Sequence, residues 1–207
     1  FQGDVIFNGT GSWNLFDAFN FSDTIIHQQG TINSRSNTIT SKQFLSKTAL
    51  IRVLSLGTSV VNINGSGDAL NFKKTNLTLD ADSSSIFINY ALADSVRLTF
   101  GDATLTFNRV SISSPMVQFT SESTIDTLTL NAGIKCILPS GKTQNTNALL
   151  ITGTCGNPIL LQSDVDGISS TINQTTGTVA GSYLYLKDIT GQGGATFNAS
   201  ESIDEGN

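Results

Sequence analysis

Charged residues, cysteine, proline and histidine are all scarce in this sequence. Only 13% of its 207 residues are charged, which is about half of the usual share. The formal net charge is -5, and no run of Lys or Arg is longer than Lys73-Lys74. Because nucleic-acid binding needs a basic face, the sequence predicts that nucleic acid is not a partner.

Long apolar runs are missing as well. No stretch of about 18 consecutive apolar residues occurs, so we expect no membrane-spanning helix and no membrane insertion. The N-terminus has no signal-peptide pattern, and the chain opens abruptly at Phe1 and stops abruptly at Asn207. We therefore expect the chain to be a piece of a longer exported protein.

The residues that are abundant favour strands and tight turns. Ser, Thr and Asn make up about a third of the chain, and 38% of the residues are hydrophobic. The apolar residues alternate with polar ones over short segments, whereas no window shows helical periodicity over ten or more residues. Three prolines in all leave such segments uninterrupted. The sequence therefore predicts an all-β protein.

Segments of the form Leu-x-Leu recur along the chain at a nearly constant spacing. The steps between the positions of their leading apolar residues are 22, 23, 21, 30 and 21. This spacing predicts a right-handed parallel β-helix of eight or nine coils, each coil burying its apolar side chains against its neighbours. The alternative is an antiparallel sandwich with two-residue hairpin turns. The leading residues are Ile32, Leu54, Leu77, Leu98, Leu128 and Leu149.

The β-helix prediction specifies which side chains point inward. It also places an enlarged loop near residues 110–115, because the step between Leu98 and Leu128 is the longest. The side chains expected in the interior are those of Leu54, Leu56, Leu77, Leu79, Leu98, Phe100, Leu128, Leu130, Leu149 and Ile151.

The pattern divides one predicted β-helix domain, residues 1–207, into three parts. Residues 1–29 carry the only Trp and several Phe, and we expect them to form a capping coil, since terminal coils of solenoids are atypical. The alternative for this part is an aromatic platform for a sugar. Residues 30–148 are the predicted central coils, and residues 149–207 are the predicted C-terminal coils.

The two cysteines have a spacing that permits a disulfide. Cys136 and Cys155 are separated by close to one coil along the chain, so adjacent coils would hold their Cα atoms about 4.8 Å apart. A disulfide tolerates Cα separations of about 4.4 to 6.8 Å. The alternative is two stacked, buried thiols that behave as small apolar residues.

Residues that could carry catalysis or bind a metal are few. His27 is the only histidine, and its position predicts a surface loop. Asp164 and Asp166, like Asp80 and Asp82, are separated by a single residue, so each pair could share Ca²⁺ or be solvated turn carboxylates. Because no complete catalytic set is visible, we expect no enzyme activity, no cofactor and no metal site.

The C-terminal part resembles a segment common in large exported surface proteins of Bacteroidetes. The matching residues begin at Ile151-Thr-Gly-Thr-Cys-Gly156 and Leu161-Gln-Ser163. They continue through Ser182-Tyr-Leu-Tyr-Leu-Lys-Asp188, Gly193-Gly-Ala-Thr-Phe-Asn-Ala199 and Ser202-Ile-Asp-Glu-Gly-Asn207. The resemblance is close over residues 149–207, and the upstream Leu-x-Leu coils look similar to the same family.

This resemblance implies an extracellular β-helix of the adhesin-like kind, exported by the type IX secretion system and in some members linked to gliding motility. The function it implies is a non-catalytic structural or adhesive module. The alternatives are a carbohydrate-active or carbohydrate-binding β-helix and a passive spacer of a secretion cargo. The expected partners are an extracellular glycan or surface ligand, and the secretion machinery through regions outside this chain.

Three hydroxyl residues match the short Asp-Ser/Thr-apolar motif for O-glycosylation known in Bacteroidetes. They are Thr24, Ser95 and Thr127. Alternation along the strand predicts that Thr127 points outward beside inward-pointing Leu128, and Ser95 falls at a predicted junction between a turn and a strand. We expect glycans at whichever of these hydroxyls faces the solvent.

Overall fold

The computed structural model describes residues 3–206 and consists of short strands joined by turns. These residues form 25 strands and no helix. The described part of the chain therefore contains no helix that could cross a bilayer. In chain order the strands are β1 (Val5–Phe7), β2 (Ser12–Asn14), β3 (Phe19–Asn20), β4 (Thr24–His27), β5 (Gly30–Asn33), β6 (Ile39–Ser41), β7 (Gln43–Ser46), β8 (Arg52–Ser55), β9 (Val60–Ile63), β10 (Gly67–Phe72), β11 (Leu77–Asp80), β12 (Ser85–Ile88), β13 (Val96–Thr99), β14 (Thr106–Ile112), β15 (Met116–Phe119), β16 (Ser123–Leu130), β17 (Lys135–Leu138), β18 (Thr143–Ile151), β19 (Ile159–Ser163), β20 (Ser170–Gln174), β21 (Thr178–Ser182), β22 (Leu184–Lys187), β23 (Ile189–Gln192), β24 (Thr196–Ser200) and β25 (Ile203–Asp204).

The strands form four sheets that run along a stack of coils. Sheet A contains ten strands in the order β1-β4-β7-β10-β13-β15-β17-β19-β22-β25. Sheet B is β2-β5-β8-β11, sheet C is β3-β6-β9-β12-β14-β16-β18-β20-β23, and sheet D is the pair β21-β24. Every neighbouring pair of these strands is parallel. The protein is therefore a parallel β-solenoid, not an antiparallel sandwich.

Each coil contributes one strand to sheet A, which gives about ten coils where the sequence predicted eight or nine. The difference arises because coil length varies. Leu186 pairs with Asp204 across a short coil, whereas Leu70 pairs with Leu98 across a long one. At a spacing of about 4.8 Å, the ten strands span about 43 Å. The right-handedness of the coil stays a prediction, based on the strong preference of parallel crossovers for that hand.

The interior of the stack is one continuous apolar cluster that extends from Phe7 to Leu184. Its middle is rich in aromatic rings. Phe107 lies 5.8 Å from Phe72 and 5.0 Å from Phe100, measured between ring centroids, and Phe119 lies 5.3 Å from Phe100. These rings come from consecutive coils, so aromatic packing connects the coils along the axis of the rod.

Nine of the ten side chains predicted to point inward are buried. The exception is Leu79, which is half-buried and packs against the edge of the core. Leu79 belongs to β11, the last strand of sheet B, so no further strand of that sheet covers it. The inward assignment is thus confirmed wherever the sheet continues on both sides.

The predicted enlarged loop near residues 110–115 is wrong. Strand β14 continues to Ile112 and β15 begins at Met116, so only three residues join them. The long step between Leu98 and Leu128 arises because the leading residues of the repeat lie in different sheets. Leu54 is in sheet B, Leu98 is in sheet A and Leu128 is in sheet C.

A buried hydrogen-bonded cluster occupies the corner between sheets A and B. The Arg52 side chain is fully buried and donates to the carbonyl oxygens of Ser46, Lys73 and Thr75 and to the Ser46 hydroxyl. The same hydroxyl lies 3.3 Å from Nδ1 of His27 in the preceding coil. The guanidinium thus bonds to backbone oxygens of its own coil and of the next one, and the cluster as a whole connects three consecutive coils.

His27 belongs to this cluster, so its predicted surface-loop position is wrong. The imidazole is fully buried, and its Nε2 lies 2.9 Å from the carbonyl oxygen of Gly30. Burial lowers the pKa of His27 below its ordinary value of 6.5, the hydrogen bond to Gly30 opposes this change, and the Arg52 charge lowers the pKa further. The ring is therefore neutral in the folded protein near neutral pH.

The lowered pKa predicts that the protein loses stability below pH 6.5. The unfolded chain gains a proton on His27 as pH falls through about 6.5, whereas the folded chain gains it only at lower pH. The free energy of unfolding therefore falls across this window. We expect the free energy of unfolding, measured with urea, to fall less between about pH 7.5 and about pH 5 for His27→Gln than for the wild type. Equal losses would show that His27 does not contribute.

Candidate functional site

The two cysteines are not bridged. Cys136 is buried in sheet A between Val117 and Leu161 of the adjacent coils, whereas Cys155 is exposed in a turn. The predicted pairing is therefore wrong, because the register places Leu161, rather than Cys155, opposite Cys136. Burial also raises the pKa of the Cys136 thiol, which makes it unreactive.

This placement predicts different reactivities for the two thiols. A disulfide-exchange reagent should label one thiol per native chain, at Cys155, and two thiols per chain after unfolding. A Cys155→Ser variant should show no rapid labelling in the native state. Rapid labelling of that variant, or the absence of any native labelling in the wild type, would contradict the placement.

The three hydroxyls of the O-glycosylation motif differ in exposure. Thr24 is buried, and its hydroxyl donates to Oε1 of Gln43 at 3.4 Å. Ser95 immediately precedes β13 and is half-exposed, and Thr127 is half-exposed. Thr24 is therefore a poor glycan acceptor in the folded protein, and modification of Ser95 or Thr127 stays a prediction.

The paired carboxylates lie in turns or directly beside them, with Asp80 as the last residue of β11, and they bond to nearby groups. Asp164 accepts a hydrogen bond from the backbone N–H of Ser140, and Asp166 forms an ion pair with Lys187 at 2.9 Å. Asp80 accepts from the hydroxyl of Ser55. Within residues 3–206, no three His, Cys, Asp or Glu side chains come together closely enough to hold a metal ion.

Strands β14, β16 and β18 share an irregularity that the Leu-x-Leu repeat did not indicate. In each of them the pairing skips one residue, which is Asn108, Asp126 or Asn147. The alternation of buried residues changes phase at the same place: Ile125 and Leu128 are both buried, with two outward residues between them. Each strand therefore changes direction here and covers two faces of the coil.

A polar groove of about 220 Å³ lies at this bend, on the solvent-facing side of the coils. We call it the Asn–Thr groove, because amide and hydroxyl side chains form most of its wall. Its lining comes from β14, β16, β18 and β20 and the residue after β20, and thus from four consecutive coils. The residues that line it are Thr106, Thr124, Ile125, Asp126, Asn145, Thr146, Asn147, Asn173 and Thr175.

Hydrogen bonds within the groove hold its amide and carboxylate groups in place. Asn173 Nδ2 donates to Asn145 Oδ1 at 2.9 Å, and Asn147 Nδ2 donates to Asp126 Oδ1 at 2.6 Å. The Thr124 hydroxyl donates to the carbonyl oxygen of Ala103, in the preceding coil, at 2.6 Å. The wall of the groove is therefore preorganised, which lowers the entropic cost of binding a ligand.

The N-terminal end of the stack has a second, more apolar concavity of about 740 Å³. Trp13 and Phe19 lie 5.3 and 6.0 Å from Phe7, measured between ring centroids, so both rings cover the first residue of the core. Phe16 is exposed, and the Arg35 guanidinium lies 4.7 Å above its ring. Coverage of Phe7 favours the capping role over the aromatic platform.

Comparisons of this chain with protein-family models, with curated proteins and with solved structures find no match. The features that bear on function are therefore the solenoid itself, its Asn–Thr groove and the sequence resemblance described above.

Proposed function

We propose that this chain is a non-catalytic structural and adhesive module of a large cell-surface or secreted protein. The observation that carries the proposal is the stack of about ten parallel coils, a rod that presents most of its polar side chains outward. The net charge of -5 keeps such a rod soluble without giving it affinity for nucleic acid. The resemblance to Bacteroidetes surface proteins supports an extracellular location and export by the type IX system.

The groove supports binding rather than hydrolysis. Glycosidases use two carboxyl groups about 5 to 10 Å apart. Among the described residues that line the Asn–Thr groove, Asp126 is the only carboxylate. The groove nevertheless has the mixture of fixed donors and acceptors that a binding site for a polar ligand requires. This observation favours carbohydrate binding over a carbohydrate-active enzyme as the second candidate.

Replacing the module in its native protein separates adhesion from spacing. An unrelated solenoid of the same length should preserve export and the distance that the protein extends from the cell. It should abolish adhesion of the native cell to the surface on which it normally grows. Retained adhesion with this substitute would show that the module is a passive spacer. Loss of export would show a role in secretion instead. Surface display, measured with an antibody to a flanking tag, distinguishes the two kinds of loss.

A further inference from the structure

We propose that the Asn–Thr groove binds an extended neutral polysaccharide, with one row of side chains contacting successive sugar units along the rod. The inference rests on the proposed adhesive function and names the ligand class and the site. Three features of the groove carry it: the repeat of its side chains, their hydrogen-bonding chemistry and their charge.

The outward row of the groove repeats with the coils. Thr106 is in register with Thr124, Thr124 with Asn145, and Asn145 with Asn173. At about 4.8 Å per coil, the four side chains form a row about 14 Å long. Such a row offers equivalent contacts at a constant interval, which suits a ligand that is itself a chain of repeating units.

The hydrogen-bonding groups of the row match hydroxyl groups. An Asn amide both donates and accepts, as does a Thr hydroxyl, and sugar hydroxyls have the same dual capacity. Asn173 donates to the oxygen of Asn145, and Asn145 donates at 3.4 Å to the carbonyl oxygen of Ser123. Among the contacts of the described residues, these bonds leave one N–H of each amide and the oxygen of Asn173 for a polyol.

The charge of the groove selects against acidic polymers. Among its described lining residues, Asp126 is the only charged one, and no Lys or Arg is present. Asp126 accepts hydrogen bonds from Asn147 and, at 3.4 Å, from the Thr127 hydroxyl. A carboxylate in this position repels a polyanion but accepts hydrogen bonds from neutral hydroxyls. The ligand class is therefore a neutral glycan rather than an acidic one.

Titration of ¹⁵N-labelled protein with defined oligosaccharides tests the proposal. The neutral probes are cellohexaose, laminarihexaose, maltohexaose and mannohexaose, and hexagalacturonate is the acidic probe. At least one neutral probe should bind with a dissociation constant of about 1 mM or lower. The amide shifts should cluster at Thr124, Asn145 and Asn173. Hexagalacturonate should bind more weakly than that neutral probe.

Paired variants connect the binding to the groove. The double variant Asn145→Leu/Asn173→Leu keeps the side-chain shape but removes the amides, and it should weaken binding about tenfold or more. Asn62→Leu is the matched control, because Asn62 also points outward from sheet C and bonds to Thr40, but outside the groove. It should bind as the wild type does. If the double variant unfolds, Thr106→Val provides a milder loss of one exposed hydroxyl.

Several results would overturn the proposal. They are the absence of binding by all four neutral probes up to about 10 mM, tighter binding of hexagalacturonate, and unchanged binding by both groove variants. Cell adhesion that survives the double variant would refute the groove as the adhesive site while leaving the adhesive module intact. Adhesion that also survives replacement of the whole module would refute the proposed function itself.

Discussion

Arg52→Ala is expected to lower the free energy of unfolding by about 4 kcal/mol. The substitution removes a fully buried guanidinium and leaves the carbonyl oxygens of Lys73 and Thr75 without their donor, whereas the Ser46 oxygen keeps its hydrogen bond from the Lys73 N–H. Each buried polar group that loses its partner costs about 1 to 3 kcal/mol. The loss also weakens the contact between two coils, because Ser46 lies in the coil of Arg52 and the other two acceptors lie in the next one.

Urea unfolding followed by circular dichroism measures this loss. Arg97→Ala is the control, because Arg97 pairs with Asp68 at 2.8 Å on the exposed outer surface. An exposed ion pair contributes about 0.5 kcal/mol, so the control should unfold at almost the same urea concentration as the wild type. Similar losses for the two arginines would contradict the buried position of Arg52.

Phe107→Ala is expected to cost about 4 kcal/mol for a different reason. Phe107 is fully buried between Phe72 and Phe100, and removing its ring leaves a cavity in the middle of the stack. The neighbouring coils are fixed by their strand pairing and cannot collapse into the space. Because each coil of a solenoid is stabilised mainly by its neighbours, the cavity weakens the contact between the two halves of the rod.

The control for this prediction is Phe16→Ala. Among residues 3–206, Phe16 is the most exposed of the large apolar side chains, and it lies at the N-terminal end of the stack. Its removal should change the free energy of unfolding by about 0.5 kcal/mol or less. A small loss for Phe107→Ala, comparable to that of the control, would show that the aromatic interior is not packed as described.

The parallel β-helix was predicted from the spacing of the Leu-x-Leu segments, whereas the alternation of apolar residues was sufficient to predict the all-β class and most of the core. It worked because inward side chains of a strand follow a period of two whichever sheet the strand belongs to. The same property explains the error in the repeat. Leu54, Leu98 and Leu128 each begin a segment with the order apolar, polar, apolar, but they lie in three different sheets. Their spacing therefore did not measure one coil.

The alternation of apolar and polar residues did not predict which polar side chains are buried. Nothing near His27 or Arg52 in the sequence distinguishes a buried side chain from an exposed one, because each of them also needs a partner from a neighbouring coil. Cys136 shows the same limit. Its partner depends on coil lengths that differ along the stack, so the spacing of the two cysteines in the sequence does not place them opposite each other.

The groove has a signal in the sequence that is separate from the Leu-x-Leu repeat. Polar residues at 108, 126 and 147 interrupt three consecutive strands, each directly after an inward position. Each interruption shifts the apolar alternation by one position, from Ile125 to Leu128 for example. A shared phase shift in consecutive coils indicates a bend, whereas only the folded structure shows that the bend forms a groove.

The register of the stacked coils is tested most directly by an engineered disulfide. Thr129 and Leu150 are outward neighbours in adjacent strands of sheet C, so their Cα atoms lie about 4.8 Å apart, within the range of a disulfide. Thr129→Cys/Leu150→Cys in a Cys155→Ser background should oxidise fully and gain about 3 kcal/mol of stability. The control pair Thr129→Cys/Asn147→Cys is displaced by about 10 Å along the strand and should stay reduced. Bridging of the control pair, or a failure of the first pair of introduced thiols to form the bridge, would contradict the parallel stack.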